Sequence, residues 1–385
     1  MSVAERHESA TAPQPIALFD LKRQQARLRH DIDRRIANVL DHGQYVLGPE
    51  VTDLEERLAT FSGVKHAVGV SSGRDALIMA LMAMGIGRGD AVLVPAFTFS
   101  ATAAVVIAVG AVPVFVDVKA DDYNMDPAAI PAAVEAAKRR GLLPRAVMPV
   151  DLFGRPADYR AIAEVAGGFG IKVVADAAQS FGGETADGKV GALAPISCIS
   201  FYPTKPLGAF GDGGAILTDD DALADAVRQI RTHGRQGDGD EAMRIGMTGR
   251  LDTIQAAVLL SKLTVFKAEL NRRAEIAAMY TERLVGRLAV PPSDGDGVRS
   301  AWALYTVALD GRDRMRAALG EKKIGTGLFY RVPLHRHPAF LDQLVGGESF
   351  PVSEDLSQRV LSLPMGPDMG DDEVDIVADA LLAAL

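Results

Sequence analysis

The run at 200–214, SFYPTKPLGAFGDGG, brackets a lysine, Lys205, between Pro203 and Pro206 and follows it with Gly208, Gly211, Gly213 and Gly214. Three roles suit a lysine in such a turn: gripping a phosphate, forming a covalent bond, or facing water. A P-loop sets its glycines ahead of the lysine and a Ser or Thr behind it, so that backbone N–H groups cradle the phosphates and the hydroxyl reaches Mg²⁺. Here Pro206 comes next and the glycines come later. That order excludes a P-loop, and for a lone lysine a solvated turn is the ordinary alternative.

A second residue shifts the balance. Asp176 closes the apolar run IKVVAD, and in open α/β sheets ligands gather at the carboxyl ends of strands. Taken alone, such an aspartate is a loop acid or a cap. A lysine and a buried carboxylate delivered to one sheet edge, however, are the pair that pyridoxal phosphate requires. The lysine forms the Schiff base, and the aspartate keeps the pyridine nitrogen protonated so that the ring acts as an electron sink. The segment SSGRDAL supplies an anion site if Gly73 lets the N–H groups that open the next helix face the phosphate. A Ser-Gly pair ahead of a helix also has the composition of a plain cap, so the combination of the three signals carries the reading.

These residues need a sheet to hold them. From Val51 onward the sequence alternates segments of helical and strand-like period, which predicts an α/β fold with a mostly parallel sheet flanked by helices. VTDLEERLATFSG and SGRDALIMALMAMG read as helices closed by Gly63 and Gly85. AVLVPAF and VPVFVDV read as buried strands joined by the helical SATAAVVIAVG. In MDPAAIPAAVEAAKRRG, Asp126 suits an N-cap, Pro127 the first helical position, and the basic residues the last turn before Gly141. Strand RAVMPV, helix PADYRAIAEVAGGFG and strand IKVVADAAQS continue the alternation, and ISCISFYP and GGAILTDD flank the lysine motif. Lys205 therefore falls in a strand-to-strand connection. Pro203 and Pro206 stiffen it, since each fixes its own φ and restricts the residue before it. After Leu251 a long helical pattern, LDTIQAAVLLSKLTVFKAELNRRAEIAAMYTERL, leads into short mixed segments. We expect a leader at 1–15, a large domain at 16–265 and a smaller C-terminal domain at 266–385, with the boundary near residues 262–275.

Composition narrows the classes. A chain of 385 residues and 40.7 kDa accommodates one large or two moderate domains. With 48% hydrophobic and 24% charged residues and a mean hydropathy of +0.11, it has the balance of a globular protein. A net charge of -9 with scattered basic residues argues against nucleic acid as a partner. Cys198 is the sole cysteine, which leaves no intrachain disulfide and agrees with a reducing, cytoplasmic setting. The polar start lacks the apolar core of a signal peptide. The most apolar run, ATAAVVIAVGAVPVFV, is too short for a membrane span and is broken by Gly110 and Pro113.

The motifs HGQYVLGPEVTDLEERLA, SSGRDAL, PAFTFSAT, ADAAQSFG, SFYPTKPLGAFGDGGAI, GRLDTIQAA and VPLHRHPAF occur in that order. With them, nearly the whole chain from Ile16 resembles the pyridoxal phosphate-dependent aminotransferases of nucleotide-linked sugars, the DegT/DnrJ type. The resemblance implies a type I, aspartate aminotransferase-like fold: a large domain with a mostly parallel seven-stranded sheet, and a smaller C-terminal α/β domain. It implies that Lys205 is the Schiff-base lysine and general base and acid, that Asp176 partners the pyridine nitrogen, and that Gln179 lies against the ring oxygen. Ser200, with the amides of Gly73 and Arg74, would hold the phosphate. Phe99 would stack on the cofactor ring, with Phe97 kept as the alternative and core packing as the ordinary role of both. In this family a loop of the partner subunit completes the phosphate site, and MTGRLDT matches it. Thr248 thus joins the cofactor residues, and a homodimer, or a tetramer built from it, is implied. No metal is implied.

Departures from the family pattern matter for the substrate. Threonine is usual where Arg74 stands and asparagine where Thr248 stands, so we expect the added guanidinium to replace a lost amide contact. HGQYVLGPEV and RLDTIQAAVLLSKL resemble most the members that act on UDP-linked 3-keto-2-acetamido uronic acids in surface polysaccharide and lipopolysaccharide synthesis. There Arg250 would pair with the sugar carboxylate and Tyr330 would line the pocket; His335 reads as a structural or loop histidine and is the pocket candidate among the histidines. A histidine is usual where Phe329 stands; His337 reads as a loop residue. The implied reaction has two halves: L-glutamate leaves as 2-oxoglutarate with the amino group held as pyridoxamine phosphate, and the keto-sugar then accepts it, in ping-pong order. Relatives that deoxygenate sugars carry histidine at the lysine position, which Lys205 opposes. The alternatives are an aminotransferase of another 3-keto or 4-keto nucleotide sugar and, in a different class, a non-catalytic sensor or scaffold of this fold, which would keep the dimer and lose the Schiff base and which Lys205, Asp176 and Gln179 together oppose.

Overall fold

The computed structural model describes residues 15–237, 239–344 and 348–385, so the expected leader lies outside the described residues except for Pro15. The chain opens with α1 (Leu21–His42), α2 (Pro49–Ser62), β1 (His66–Val70), α3 (Gly73–Ala83), β2 (Asp90–Pro95), α4 (Ala101–Ala108) and β3 (Val112–Val116). It continues through α5 (Ile130–Arg139), β4 (Leu143–Val147), α6 (Tyr159–Gly168) and β5 (Lys172–Asp176). A small hairpin, β6 (Glu184–Thr185) and β7 (Gly188–Lys189), precedes β8 (Ile196–Ser200), β9 (Gly214–Thr218) and α7 (Asp221–Ile230). Next are α8 (Thr253–Leu263), α9 (Phe266–Leu284), β10 (Tyr305–Ala308) and α10 (Arg312–Glu321). The last are α11 (Pro351–Arg359), β11 (Val360–Leu363) and α12 (Asp371–Leu382).

Seven strands form one sheet in the order β1-β9-β8-β5-β4-β2-β3. Only β9 is reversed: it pairs antiparallel with β1 and β8, whereas all other neighbours are parallel. The expected α/β fold with its mostly parallel sheet is therefore present. Strand β2 shows why the sequence folds this way, because Ala91, Val92, Leu93 and Val94 are all buried. A strand covered by helices on both faces must be apolar on both. One face takes α3, α4 and α7 through Leu77, Met79, Val105 and Val227. The other takes α5 and α6 through Ile130, Val134 and Ile162. Asp126 caps as its type suggests, accepting the Ala128 N–H at 2.9 Å, although 127–129 form a 3₁₀ turn before α5 begins.

A second core gathers around the antiparallel pair β10 and β11, with Tyr280, Tyr305, Met315, Leu363 and Val377. Helix α9 serves both cores. Its Phe266 and Leu270 pack with α2 and α8, and its Ile276 and Tyr280 with β10 and α12. The change of core falls inside α9, between Leu270 and Ile276. Ile16 also belongs to the C-terminal core: its N–H donates to Lys323 O at 3.1 Å, and its carbonyl accepts from Gly325 N–H at 2.8 Å. No described helix is long and apolar enough to cross a membrane.

Two elements differ from the sequence reading. Helix α1 went unmarked because only Leu28, Ile32 and Val39 of its 22 residues are buried, too thin an apolar stripe to announce itself. The long pattern after Leu251 is two helices, broken at the β-branched pair Thr264 and Val265, whose N–H groups turn to Ser261 O and Lys262 O.

The loop after β4 ties the two cores together through Gly154, whose carbonyl accepts from Ala301 N–H at 2.8 Å. Gly154 has φ +106, and an added Cβ would lie 2.7 Å from Ala303 N and 2.8 Å from Trp302 N. Backbone cannot yield as a side chain does, so Gly154→Ala should cost about 2–4 kcal/mol. Urea unfolding measures this, and an unchanged midpoint would contradict it.

Candidate active site

Strands β1, β5 and β8 run parallel, so Val70, Asp176 and Ser200 end at one edge of the sheet. Asp176 is buried there, accepting from Thr102 Oγ1 at 2.8 Å and from Ala178 N–H at 3.3 Å. Burial pushes its pKa up, against those two donors and the charge of Lys205. Lys205 lies in the connection from β8 to β9, where its N–H donates to Tyr202 O at 2.8 Å. The loop then folds back on itself: Ala209 N–H reaches Phe201 O at 2.7 Å, and a Cβ on Gly208 would fall 2.3 Å from Pro203 O. Removal from water drives the Lys205 ammonium down to about 8, opposed by the Asp176 charge. Neither a hydrogen bond nor an ion pair among the described residues satisfies this ammonium.

Beside this pair lies a close backbone cradle. Helix α3 opens at Gly73, and Ser72 Oγ caps it by accepting from Asp75 N–H at 3.0 Å. The first N–H groups of a helix have no partner inside it, which leaves those of Gly73 and Arg74 for an anion. A Cβ on Gly73 would lie 2.5 Å from Ser200 Cβ, and one on Gly214 would lie 2.6 Å from the Ser72 carbonyl carbon. Only glycine lets the ends of β1, β8 and β9 close up in this way.

An aromatic wall completes the edge. Tyr330 sits 6.1 Å from Phe99 and 6.2 Å from Phe97, ring to ring, and burial pushes its phenol pKa up. Phe97 is buried in the core, whereas Phe99 is 56% exposed and keeps a free face. Gln179 accepts from Phe153 N–H at 3.0 Å and donates to Tyr330 Oη at 3.4 Å. The residues named from the sequence as Lys205, Asp176, Gln179, Tyr330, Phe99, Ser200 and Gly73 thus share one sheet edge. A group with an aldehyde, a basic ring nitrogen and a phosphate suits this set: an unpartnered amine, a buried carboxylate, and a cradle that any Cβ would fill.

Other expected side chains have partners of their own. Thr248 Oγ1 and Arg250 Nη1 are 3.4 and 3.5 Å from His233 Nε2, and Val70 pairs with Arg250 through the backbone. The Arg74 side chain is half exposed, 3.8 Å from Asp75. His335 faces inward instead: it is buried, its Nε2 lies 2.8 Å from Glu354 Oε1, and its ring lies 4.7 Å from that of Phe350. Thr102, Asp151 and His233 were not singled out from the sequence. Thr102 and His233 carry no local signal for contacts so distant in the chain. Asp151 does, since it follows the run RAVMPV as Asp176 follows IKVVA.

Residues 26–382 match the DegT/DnrJ/EryC1/StrS aminotransferase family. A UDP-2-acetamido-2-deoxy-3-oxo-D-glucuronate aminotransferase of Pseudomonas aeruginosa is 43% identical over 95% of this chain and 99% of its own. A dTDP-3-amino-3,4,6-trideoxy-alpha-D-glucose transaminase of Streptomyces venezuelae is 40% identical over 95% of each chain. The crystal structure of a DegT DnrJ EryC1 StrS aminotransferase from Brucella abortus superposes with a TM-score of 0.93 at 43% identity, covering 96% of this chain and 99% of that one. The chain belongs to the DegT/DnrJ/EryC1/StrS aminotransferase family, whose cofactor is pyridoxal phosphate.

Proposed function

We propose that this aminotransferase moves an amino group from L-glutamate to the keto carbon of UDP-2-acetamido-2-deoxy-3-keto-glucuronate, a step toward surface polysaccharide sugars. The observation that carries the reading is Asp176, buried at the end of β5 opposite a lysine that has no hydrogen-bond or ion-pair partner among the described residues. When bound, pyridoxal phosphate supplies a carbonyl that captures amines and a ring that draws in the electrons of the adjacent carbon. Lys205 is the base and acid: with its pKa near 8 it is neutral often enough to take a proton from carbon and charged often enough to return one. Asp176 holds the ring nitrogen protonated. Gly73, Arg74 and Ser200 would hold the phosphate, Gln179 the ring oxygen, and Phe99 would stack on the ring.

Thr248 completes the phosphate site from a second copy, and Arg250 receives the sugar carboxylate in bidentate fashion. A homodimer is supported by apolar residues left in water, among them Ile245 at 83%, Met243 at 60% and Tyr202 at 53% exposure. The sole cysteine supports a cytoplasmic setting. The names of the two relatives support position 3 of the sugar as the reacting carbon, and they differ in nucleotide. A dTDP-linked 3-keto sugar is accordingly the second reading.

The function is tested by amino transfer from glutamate, read as 2-oxoglutarate formed, against UDP- and dTDP-linked 3-keto and 4-keto sugars. The UDP-linked 3-keto uronate should give the highest kcat/KM, and Arg250→Ala should raise its KM with little change in kcat. Preference for a 4-keto sugar would contradict the reading. Lys205→Ala should lower kcat by at least about 100-fold.

The rate at which apo-protein captures pyridoxal phosphate should rise with pH and reach half its maximum near the Lys205 pKa of about 8, because only the neutral amine attacks. The Asp176 charge stabilises the ammonium, so Asp176→Asn should shift that midpoint to lower pH. Stopped-flow absorbance across pH measures both, and a shift to higher pH in the variant would contradict the assignment.

A further inference from the structure

Asp151 is a second buried carboxylate at this edge, and no role assigned so far uses it. It follows Val150, which bridges Asp176 in parallel register, and it is 0% exposed. Its carboxyl accepts from three donors: Ser180 Oγ at 2.5 Å, Ala157 N–H at 2.8 Å and Tyr159 Oη at 2.8 Å. Its own N–H donates to Asp176 O at 3.1 Å, while Asp176 N–H donates to Pro149 O at 3.0 Å.

One residue therefore holds both ends of the turn 176–180, by backbone at Asp176 and by side chain at Ser180. Gln179 lies between these anchors, and its Oε1 accepts from Phe153 N–H two residues after Asp151. Phe153 has φ +60, a conformation that a bulky residue keeps only where its surroundings impose it. Burial pushes the Asp151 carboxyl up to about 7, the Asp176 charge adds to this, and the three donors oppose it. A neutral side chain would fill this space at lower desolvation cost, so the acid needs a reason beyond packing.

We infer that Asp151 is a positioning residue for the reaction, clamping the turn 176–180 at both ends and so fixing Asp176 and Gln179 toward the cofactor ring. The inference rests on the proposed use of pyridoxal phosphate. Its consequence is that loosening either end of the clamp harms cofactor binding and turnover more than it harms the fold, since small misplacements of reacting groups cost rate steeply.

The test uses Asp151→Asn and Ser180→Ala, alone and combined, with pyridoxal phosphate itself as the probe. Asparagine keeps the shape and its Oδ1 still accepts from Ala157 and Tyr159, but it replaces the acidic acceptor of the Ser180 hydroxyl with an amide N–H that restores only a weaker, reversed bond, whereas Ser180→Ala removes the far anchor outright. Four readouts are needed: the dissociation constant for pyridoxal phosphate, the pH dependence of the visible band, kcat with KM, and the thermal midpoint. Each variant should weaken pyridoxal phosphate about 10-fold and lower kcat about 10- to 100-fold, with KM for the sugar nearly unchanged. The double variant should be no worse than Ser180→Ala alone, because both act on the one link between residues 151 and 180. Normal cofactor affinity, band and kcat with only a lowered thermal midpoint would overturn the inference and leave Asp151 a structural residue. Should Asp151→Asn not fold, Ser180→Ala decides by the same criteria. A wild-type chain that binds no pyridoxal phosphate would instead overturn the proposed function, and this inference with it.

Discussion

Burying Asp176 at the end of β5 is unfavourable unless donors and a cation meet it. Thr102 and Ala178 donate to it and the charge of Lys205 favours it without a direct bond, while burial pushes the Lys205 ammonium toward its neutral form. Burial drives each group toward its neutral form, and the charge of each opposes that drive in the other. The sheet makes the meeting unavoidable. β8 lies beside β5 with Cys198 level with Asp176, and β9 returns antiparallel on the far side of β8. The connection between β8 and β9 must therefore turn back at the edge where β5 ends, which brings Lys205 to Asp176.

Backbone proximity does the rest. Gly73 against Ser200, Gly214 against Ser72 and Gly208 against Pro203 are three places where a Cβ would fall within 2.6 Å of another atom. These contacts draw the lysine loop and the start of α3 into one cradle. Two of the three glycines belong to the lysine motif itself. The same motif thus carries the lysine and the glycines that pack its loop against the start of α3.

The alternation of apolar strands and amphipathic helices made the sheet legible, and chemistry made the edge legible: a lysine loop, an aspartate at a strand end and a glycine before a helix. Less visible were features set by contacts distant in sequence. Helix α1 has too few buried residues to show a stripe, and the break at Thr264 and Val265 interrupts a pattern whose period continues on both sides. His335, the better pocket candidate of two histidines read as structural or loop residues, has its partners in Glu354 and Phe350, which no local pattern reveals. The support for Asp176 from Thr102 spans 74 positions and belongs to the fold alone.

The central claim is that Lys205, placed by the β8–β9 connection over Asp176, is the amine that takes the cofactor. The most direct measurement is borohydride reduction of the purified holoprotein followed by peptide mass mapping. The account expects loss of the visible band and a single cofactor-bearing peptide, with the label on Lys205. Label on any other lysine, or no band to reduce, would contradict it.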